Sequence, residues 1–431
     1  MFRMPDFINR FTFACAVALA VCASFGAAQA NTFKVLYDFN GGSDGQTPSG
    51  SLIADSSGNL YGMTHEGGGA CNGGLGCGTL FKLAADGTES VLYSFQGGND
   101  GAFPSGGLIM DPAGNLYGTT FEGGGGCNCG TIFEFSTTGK EGVLYAFKGG
   151  RDGANPDAGL ARDNTGNLYG VTAIGGDHAC QCGTVFEFTP SGSENILYRF
   201  LGAPDGATPT ASLIMDSSGD LFGTTAFGGL VCSQAFKQGW GTAFEVMAGG
   251  TEMVLYTFCQ KPNCTDGLGP FSNLALDPTS GDFYGTTIAG GRDCSYGCGT
   301  VYKLGPDMRE TVIHAFRGVT EDGLNPLAGV TLDESGNLYS AACGSSMECQ
   351  TPVGKKCAKS CVNGDVYTIH IAEDKRAHDT FDVIHTFKGK KGTNPTSPLL
   401  LYSGNLYGTT AYGGTHECGS QGCGEIFELT P

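Results

Sequence analysis

Gly114-Asn115-Leu116-Tyr117-Gly118-Thr119-Thr120 is the stretch on which the fold turns. Alone it reads as a short strand, rich in Leu, Tyr and Thr and opening from a Gly-Asn turn. Its weight comes from recurrence. The same pattern, with variants, begins at Gly58, Gly114, Gly166, Gly219, Gly281, Gly336 and Gly404. Two other motifs keep step with it. Leu-Tyr-x-Phe recurs at Leu36–Phe39, Leu92–Phe95, Leu144–Phe147, Leu197–Phe200, Leu255–Phe258, Ile313–Phe316 and Ile384–Phe387. Gly-Thr-Val-Phe-Glu-Phe and its variants begin at Gly78, Gly130, Gly183, Gly241, Gly299, Gly364 and Gly424.

Seven units in one register mark a repeat architecture. In the second unit the strand candidates are Leu108–Met110, Asn115–Thr120, Thr131–Phe135 and Val143–Phe147, lettered A to D. No segment beyond the N-terminus has a helical period. Four short antiparallel strands in each of seven units predict an all-β, seven-bladed β-propeller. A solenoid is the competing architecture, but it needs capping repeats. The chain instead begins its repeats on a D motif, Val35–Phe39, and finishes on a C motif, Gly424–Leu429. Pairing the two completes the seventh blade and hides an edge.

Two acidic positions repeat. Asp-x-x-Gly-Asn (Asp55, Asp111, Asp163) is expected as the A–B turn, its carboxylate bonding into the turn backbone. Asp-Gly-x-x-Pro supplies Asp44, Asp100, Asp152, Asp205, Asp266 and Asp322 in the D–A connection, with Lys391 in the last unit. Repetition assigns both a structural role over calcium, which needs six to eight converging oxygens.

The 431 residues include 74 Gly and only 15% charged residues, and the glycines have no three-residue period, so disorder and collagen are excluded. Residues 1–30 read as an export signal: Arg3 and Arg10, an apolar run from Phe11 to Phe25, then Ala28-Gln29-Ala30. We expect residues 31–431 to form a single propeller domain, secreted or periplasmic, with the cell surface as the further option. No membrane span is expected after cleavage, and no sorting tail after Pro431. Cleavage removes Arg3, Arg10 and Asp6, taking the net charge from −19 to about −20. Such a surface repels nucleic acid and anionic lipid.

The composite Phe-x-Gly-Gly-x-Asp-Gly … Gly-Asn-Leu-Tyr-Gly-Thr-Thr … Gly-Thr-Val-Phe resembles the GloVer repeat of exported bacterial proteins with varied surface anchors. The resemblance covers nearly all of residues 31–431. It implies an exported, propeller-like protein and no activity. The Gly-Asn-Leu-Tyr hairpin is similar to NHL and gluconolactonase-type propellers at the level of fold.

Seventeen cysteines remain after cleavage, concentrated in the B–C loops: Cys71/Cys77, Cys127/Cys129, Cys180/Cys182, Cys294/Cys298, Cys343/Cys349/Cys357/Cys361 and Cys418/Cys423. In an exported chain they read first as disulfides. Cys127, Cys129, Cys180 and Cys182 also fit one four-thiolate zinc site or a labile redox pair. The odd thiol is expected among Cys232, Cys259 and Cys264. His65, His178 and His416 fall in the same loops, and Thr64-His65-Glu66 matches Thr415-His416-Glu417-Cys418 across the closure. A His/Glu/Cys metal site there competes with the reading of solvated loop histidines, which we favour. His314, His370 and His385 are expected as partial core or edge residues, and Trp240 as core.

No catalytic motif is present, and no cofactor or catalytic residue is assigned. Strand A residues (Leu, Ile, Ala, Met, Val) are expected to line the channel, without the carboxylates and amides a lactonase-type metal site needs. Unit six departs from the pattern: its long B–C loop carries Lys355, Lys356 and Lys359, candidates for partner binding. Phe121, Phe227 and Tyr412 are candidate glycan contacts. The expected function is a monomeric binding or scaffold module for an extracellular protein or glycan. A metal-dependent hydrolase or lyase is the alternative.

Overall fold

The computed structural model describes residues 31–431 apart from 70, 178, 231–237, 293–296, 319–321, 344–362, 373–377, 389–391 and 419–420. Seven antiparallel four-stranded sheets make a seven-bladed β-propeller. Blade one contains Gln46–Ala54, Leu60–Glu66, Thr79–Leu83 and Glu89–Ser94 in spatial order A to D. Blade two repeats this with Ile109–Met110, Leu116–Thr120, Thr131–Phe135 and Glu141–Ala146. The N-terminal strand Thr32–Asp38 pairs antiparallel with the C-terminal strand Glu425–Thr430 and supplies strand D of blade seven.

The motifs recur because each does one packing job per blade. The Phe ending Leu-Tyr-x-Phe is buried and meets the motif-three aromatic of the next blade edge-on. Phe95 packs on Phe133 with centroids 5.1 Å apart, and Phe147 on Phe186 at 5.2 Å. Phe39–Phe81 and Phe387–Phe427 carry the same contact across both sides of the closing blade. Edge-to-face contact suits the ring quadrupole, and these rings sit in the inter-blade core among leucine, isoleucine and alanine side chains. The Gly of Leu-Tyr-Gly-Thr makes room for them: a Cβ on Gly118 would lie 2.8 Å from Phe133 Cζ.

The A–B turn forms as the sequence predicts. The Asp111 carboxylate accepts from Ala113 N, Asn115 N and Asn115 Nδ2, each at 2.9 Å. Burial opposes its charge, but the Asn115 and Ala113 donors win and hold its pKa below the usual value.

The D–A aspartates act as braces. Tyr93 Oη donates to Asp100 at 2.9 Å and Gln96 N donates to the same carboxylate at 2.8 Å. Tyr37–Asp44, Tyr145–Asp152, Tyr198–Asp205 and Tyr256–Asp266 repeat the bond. His314 takes the tyrosine's place opposite Asp322. His385, at the same motif position, stacks on Phe33, and burial lowers its pKa to about 4. His370 pairs with Asn337 at 2.8 Å on the exposed side of its strand.

A glutamate opening strand D faces each Tyr–Asp brace. Burial first, and the charges of Asp44, Asp100, Asp152 and Asp205 second, raise Glu89, Glu141, Glu194 and Glu252 to about 7. At the next interface Lys261 forms an ion pair with Glu310.

The channel differs from the sequence expectation. Leu52, Leu108, Leu160, Leu213, Leu274, Val330 and Leu399 turn away from the axis and are buried. The chain passes the axis just upstream of them, on Ser49–Ser51, Ser105–Gly107, Asp157–Gly159, Thr210, Ser212, Phe271–Asn273, Leu327, Gly329 and Thr396–Pro398. These small residues pack tightly, so the apolar run that follows enters the blade. The result is an axial cavity of about 200 Å³ lined mainly by hydroxyls and backbone, with Asp157 its one charged side chain.

Candidate functional site

One cavity of about 360 Å³ breaks the repetition. It is lined by His65, Glu66, Phe103, Phe121, Glu122 and Asp157, and Asp157 also lines the axial cavity. The site therefore lies beside the channel mouth, on the face of the B–C and D–A loops, at blades one to three.

Each side chain is placed by a repeated element carrying an unusual residue. His65 and Glu66 end strand B of blade one, and Phe121 and Glu122 follow strand B of blade two. Equivalent positions in blades three, four, five and seven hold Ala173-Ile174, Ala226-Phe227, Ile288-Ala289 and Ala411-Tyr412. Only blades one and two supply acids here. Asp157 follows the proline of the D–A connection, where the other blades have Ser49, Ser105, Thr210, Phe271, Leu327 and Thr396.

Phe103 occupies the residue before that proline. This position has positive φ in every blade: Thr47, Phe103, Asn155, Thr208, Gly269, Asn325 and Asn394. Phe at φ 57° is a strained choice where Gly and Asn are at ease. Its amide donates to Cys77 O at 2.8 Å, its carbonyl accepts from Phe121 N at 3.1 Å, and its ring lies 5.1 Å from the His65 ring.

The two glutamates are steered by amides. Gln46 Nε2 donates to Glu66 Oε2, and Asn128 Nδ2 to Glu122 Oε2, both at 2.8 Å. Asn128 is the middle residue of Cys127-Asn128-Cys129, and its Oδ1 accepts from Gly123 N at 2.8 Å. That loop therefore aims a residue of the site.

Burial is the main cause of both pKa shifts. It lowers His65, with Glu66, Asp157 and Glu122 pulling the other way, so His65 is neutral at pH 7. It raises Asp157, tempered by Ser105 and His65.

The sulfurs of Cys71–Cys77, Cys127–Cys129, Cys180–Cys182, Cys259–Cys264 and Cys418–Cys423 are bonded, and Cys298 and Cys343 are also in disulfides. Each Cys-x-Cys pair is joined within its own loop, so the structure does not pool their thiolates. The second cysteine of a staple lends its carbonyl to the next blade: Asn155 N donates to Cys129 O and Thr208 N to Cys182 O. Trp240 fills this role in blade four, its carbonyl accepting from Gly269 N while its ring packs on the Cys259–Cys264 cluster. The adjacent glycines fit against the sulfurs: a Cβ on Gly149 would lie 3.0 Å from Cys129 Sγ.

Of the residues singled out in the sequence, the cavity collects His65, Glu66 and Phe121. His416 and Glu417 are exposed in blade seven, while the groups acting on His65 come from blades one to three. His178, Lys355, Lys356, Lys359, Cys294, Cys349, Cys357, Cys361 and Cys232 lie outside the described residues, as does the signal segment. Cys259 and Cys264 being bonded to each other leaves only Cys232 of the three candidates for the odd thiol. Sequence reasoning missed Phe103, Glu122 and Asp157. Aligning the seven units column by column finds Phe103 as the one aromatic and Asp157 as the one acid in their columns. Among the described residues, no group of three or more His, Cys, Asp or Glu side chains is placed to hold a metal ion. No described helix is long and apolar enough to cross a membrane.

Comparison with known proteins agrees with the architecture. The extracellular domain of BT4673 from B. thetaiotaomicron superposes with a TM-score of 0.54 at 11% identity, over 91% of this chain. This chain spans 39% of that one, and at this identity the likeness shows the fold alone. A protein assigned as a gluconolactonase has a TM-score of 0.40 at 14% identity, covering 72% of this chain and 88% of its own. A luciferin-regenerating enzyme has a TM-score of 0.43 at 11% identity, covering 93% and 96%. No curated protein matches in sequence. The Gloeobacter/Verrucomicrobia repeat matches twice, over residues 25–180 and 162–348. On these matches the chain belongs to the Gloeobacter/Verrucomicrobia repeat family.

Proposed function

We propose that the protein is an exported, monomeric ligand-binding propeller of one domain, and that its ligand seats in the cavity of His65, Glu66, Phe103, Phe121, Glu122 and Asp157. The observation that carries this reading is the cavity itself: six side chains meet where several columns of the repeat are broken together. Residues that carry the packing common to all blades recur from blade to blade. His65, Phe103 and Asp157 do not, so the common blade packing does not call for them. Concave sites mixing aromatic walls with a few placed polar groups are the usual form of ligand sites. Export is supported by the N-terminal signal pattern and by the disulfides of the loop face, which suit an oxidising compartment.

A second reading, a hydrolase or lyase at the same pocket, draws on one observation. Asp157 is shifted up and His65 down in a shared cavity, as acid–base pairs often are. The test is a thermal-shift and calorimetric panel of small ligands and oligosaccharides on the oxidised mature protein, alongside Phe121→Ala. Ligands whose binding is lost in Phe121→Ala without a fall in melting temperature support the site. Binding that Phe121→Ala leaves intact contradicts it. Chemical turnover of a bound ligand, abolished by Asp157→Asn, establishes the second reading.

A further inference from the structure

We propose that this pocket recognises an organic cation: an ammonium or guanidinium group on a small amine or on a basic side chain. The inference rests on the reading of the cavity as the binding site and names its ligand class.

The walls argue for it from three sides. Glu66, Glu122 and Asp157 bring three carboxyl groups to one cavity, with Phe103 and Phe121 as its aromatic faces. His65 is the lining group that can become positive, and its burial keeps it neutral. The ion pairs among the described residues are Lys261–Glu310, Lys303–Asp282, Arg309–Asp307 and His314–Asp322, none of which involves the pocket acids. Negative charge in a partly desolvated cavity is unfavourable without a counter-charge, and an incoming cation removes that cost. Aromatic faces add attraction for a large, weakly hydrated cation.

A compact divalent ion fits less well. Each glutamate has one oxygen already engaged by an amide, Gln46 or Asn128, and no three acids converge at ligand distance. A cavity of about 360 Å³ suits a group the size of a side chain or small amine. Among the described residues, the equivalent positions of blades three and four next to the pocket are apolar: Ile174 is 41% exposed, and Phe227 packs on Phe271. A cationic head held by the pocket acids leaves its carbon chain free to lie against these apolar side chains.

The probes are spermidine, tetraethylammonium and arginine methyl ester as free cations, a Lys-rich peptide as the side-chain source, and cellobiose as the neutral comparison. Calorimetry on the oxidised mature protein is repeated for Glu122→Gln, Asp157→Asn and Phe121→Ala, each checked for unchanged circular dichroism and melting temperature. We expect at least one cation to bind, to weaken tenfold or more in each acid variant, and to weaken as salt rises. Binding by free amines identifies a small-molecule ligand; binding by the peptide alone identifies a basic side chain. Should cellobiose bind instead, lost in Phe121→Ala but kept in Glu122→Gln, the cation inference falls while the pocket stands. Cation binding that ignores all three variants overturns both. No binding by any cation at millimolar concentration overturns the inference.

Discussion

Phe103 is the residue where the repeat's rules and the site conflict most openly. Its column demands a left-handed backbone, which a bulky side chain adopts at a cost of about 1–2 kcal/mol. Blades three, six and seven use Asn there. Phe103→Asn is therefore expected to keep the fold and match or exceed the native protein in urea denaturation, while weakening ligand binding at least fivefold. Lower stability with intact binding would mean that the ring serves packing alone. Asp157 is the complementary case: a carboxyl in a ring of mainly hydroxyl-bearing and apolar residues, raised by burial.

Single elements show how much was legible in the sequence. The A–B turn and the closing pair of strands were readable, because each depends on local chemistry repeated seven times. The bulge in strand D was not. Between Val143↔Phe133 and Tyr145↔Ile132 one extra residue, Leu144, interrupts the register, and every C–D pair has the same shift. Nothing in Leu-Tyr-x-Phe announces an unpaired residue, yet the bulge adds twist to the outer strand. The site was half legible for a related reason. His65 and Phe121 stand out as residue types in loops, whereas Asp157 and Glu122 look ordinary until the blades bring them together.

Two predictions belong to elements. Tyr93→Phe removes the donor to Asp100 and is expected to cost about 1–3 kcal/mol in chemical denaturation. An unchanged midpoint would show the brace to be idle. The Cys127–Cys129 bond closes so short a ring that it restricts the unfolded chain little. Replacing both by Ser is expected to leave the melting temperature nearly unchanged but to weaken ligand binding, because Asn128 and then Glu122 lose their anchor. A large fall in melting temperature with normal binding would reverse that assignment.

For the whole molecule, the repeated Asp–Glu contacts set a pH response. Glu89, Glu141, Glu194 and Glu252 have folded pKa values near 7, above the ordinary 4.5. The folded state holds protons that the unfolded chain releases, so their contribution is complete below pH 4.5 and is lost as pH rises through 7. His385 and His65 work in the opposite sense, losing their contribution as pH falls below 6.5. With four glutamates against two histidines, the melting temperature is expected to be higher at pH 5 than at pH 8. Substituting the four glutamates by Gln should flatten the difference; a higher melting temperature at pH 8 in the native protein would contradict it. Ring closure is the other molecular property. Deleting residues 31–39 strips strand D from blade seven and removes the Phe39–Phe81 contact. The exposed edge at Glu425–Thr430 is expected to drive self-association, seen by light scattering.

The pocket itself is best tested from inside, with 4-fluorophenylalanine placed singly at Phe121 and, as a control, at Phe33, which stacks on His385 beside the closing strand. Fluorine NMR during titration with spermidine reports on each ring separately. The account predicts a saturable shift at Phe121 that vanishes in Asp157→Asn with Glu122→Gln, while Phe33 stays still. A Phe121 resonance that never moves, or moves only together with Phe33, would contradict it.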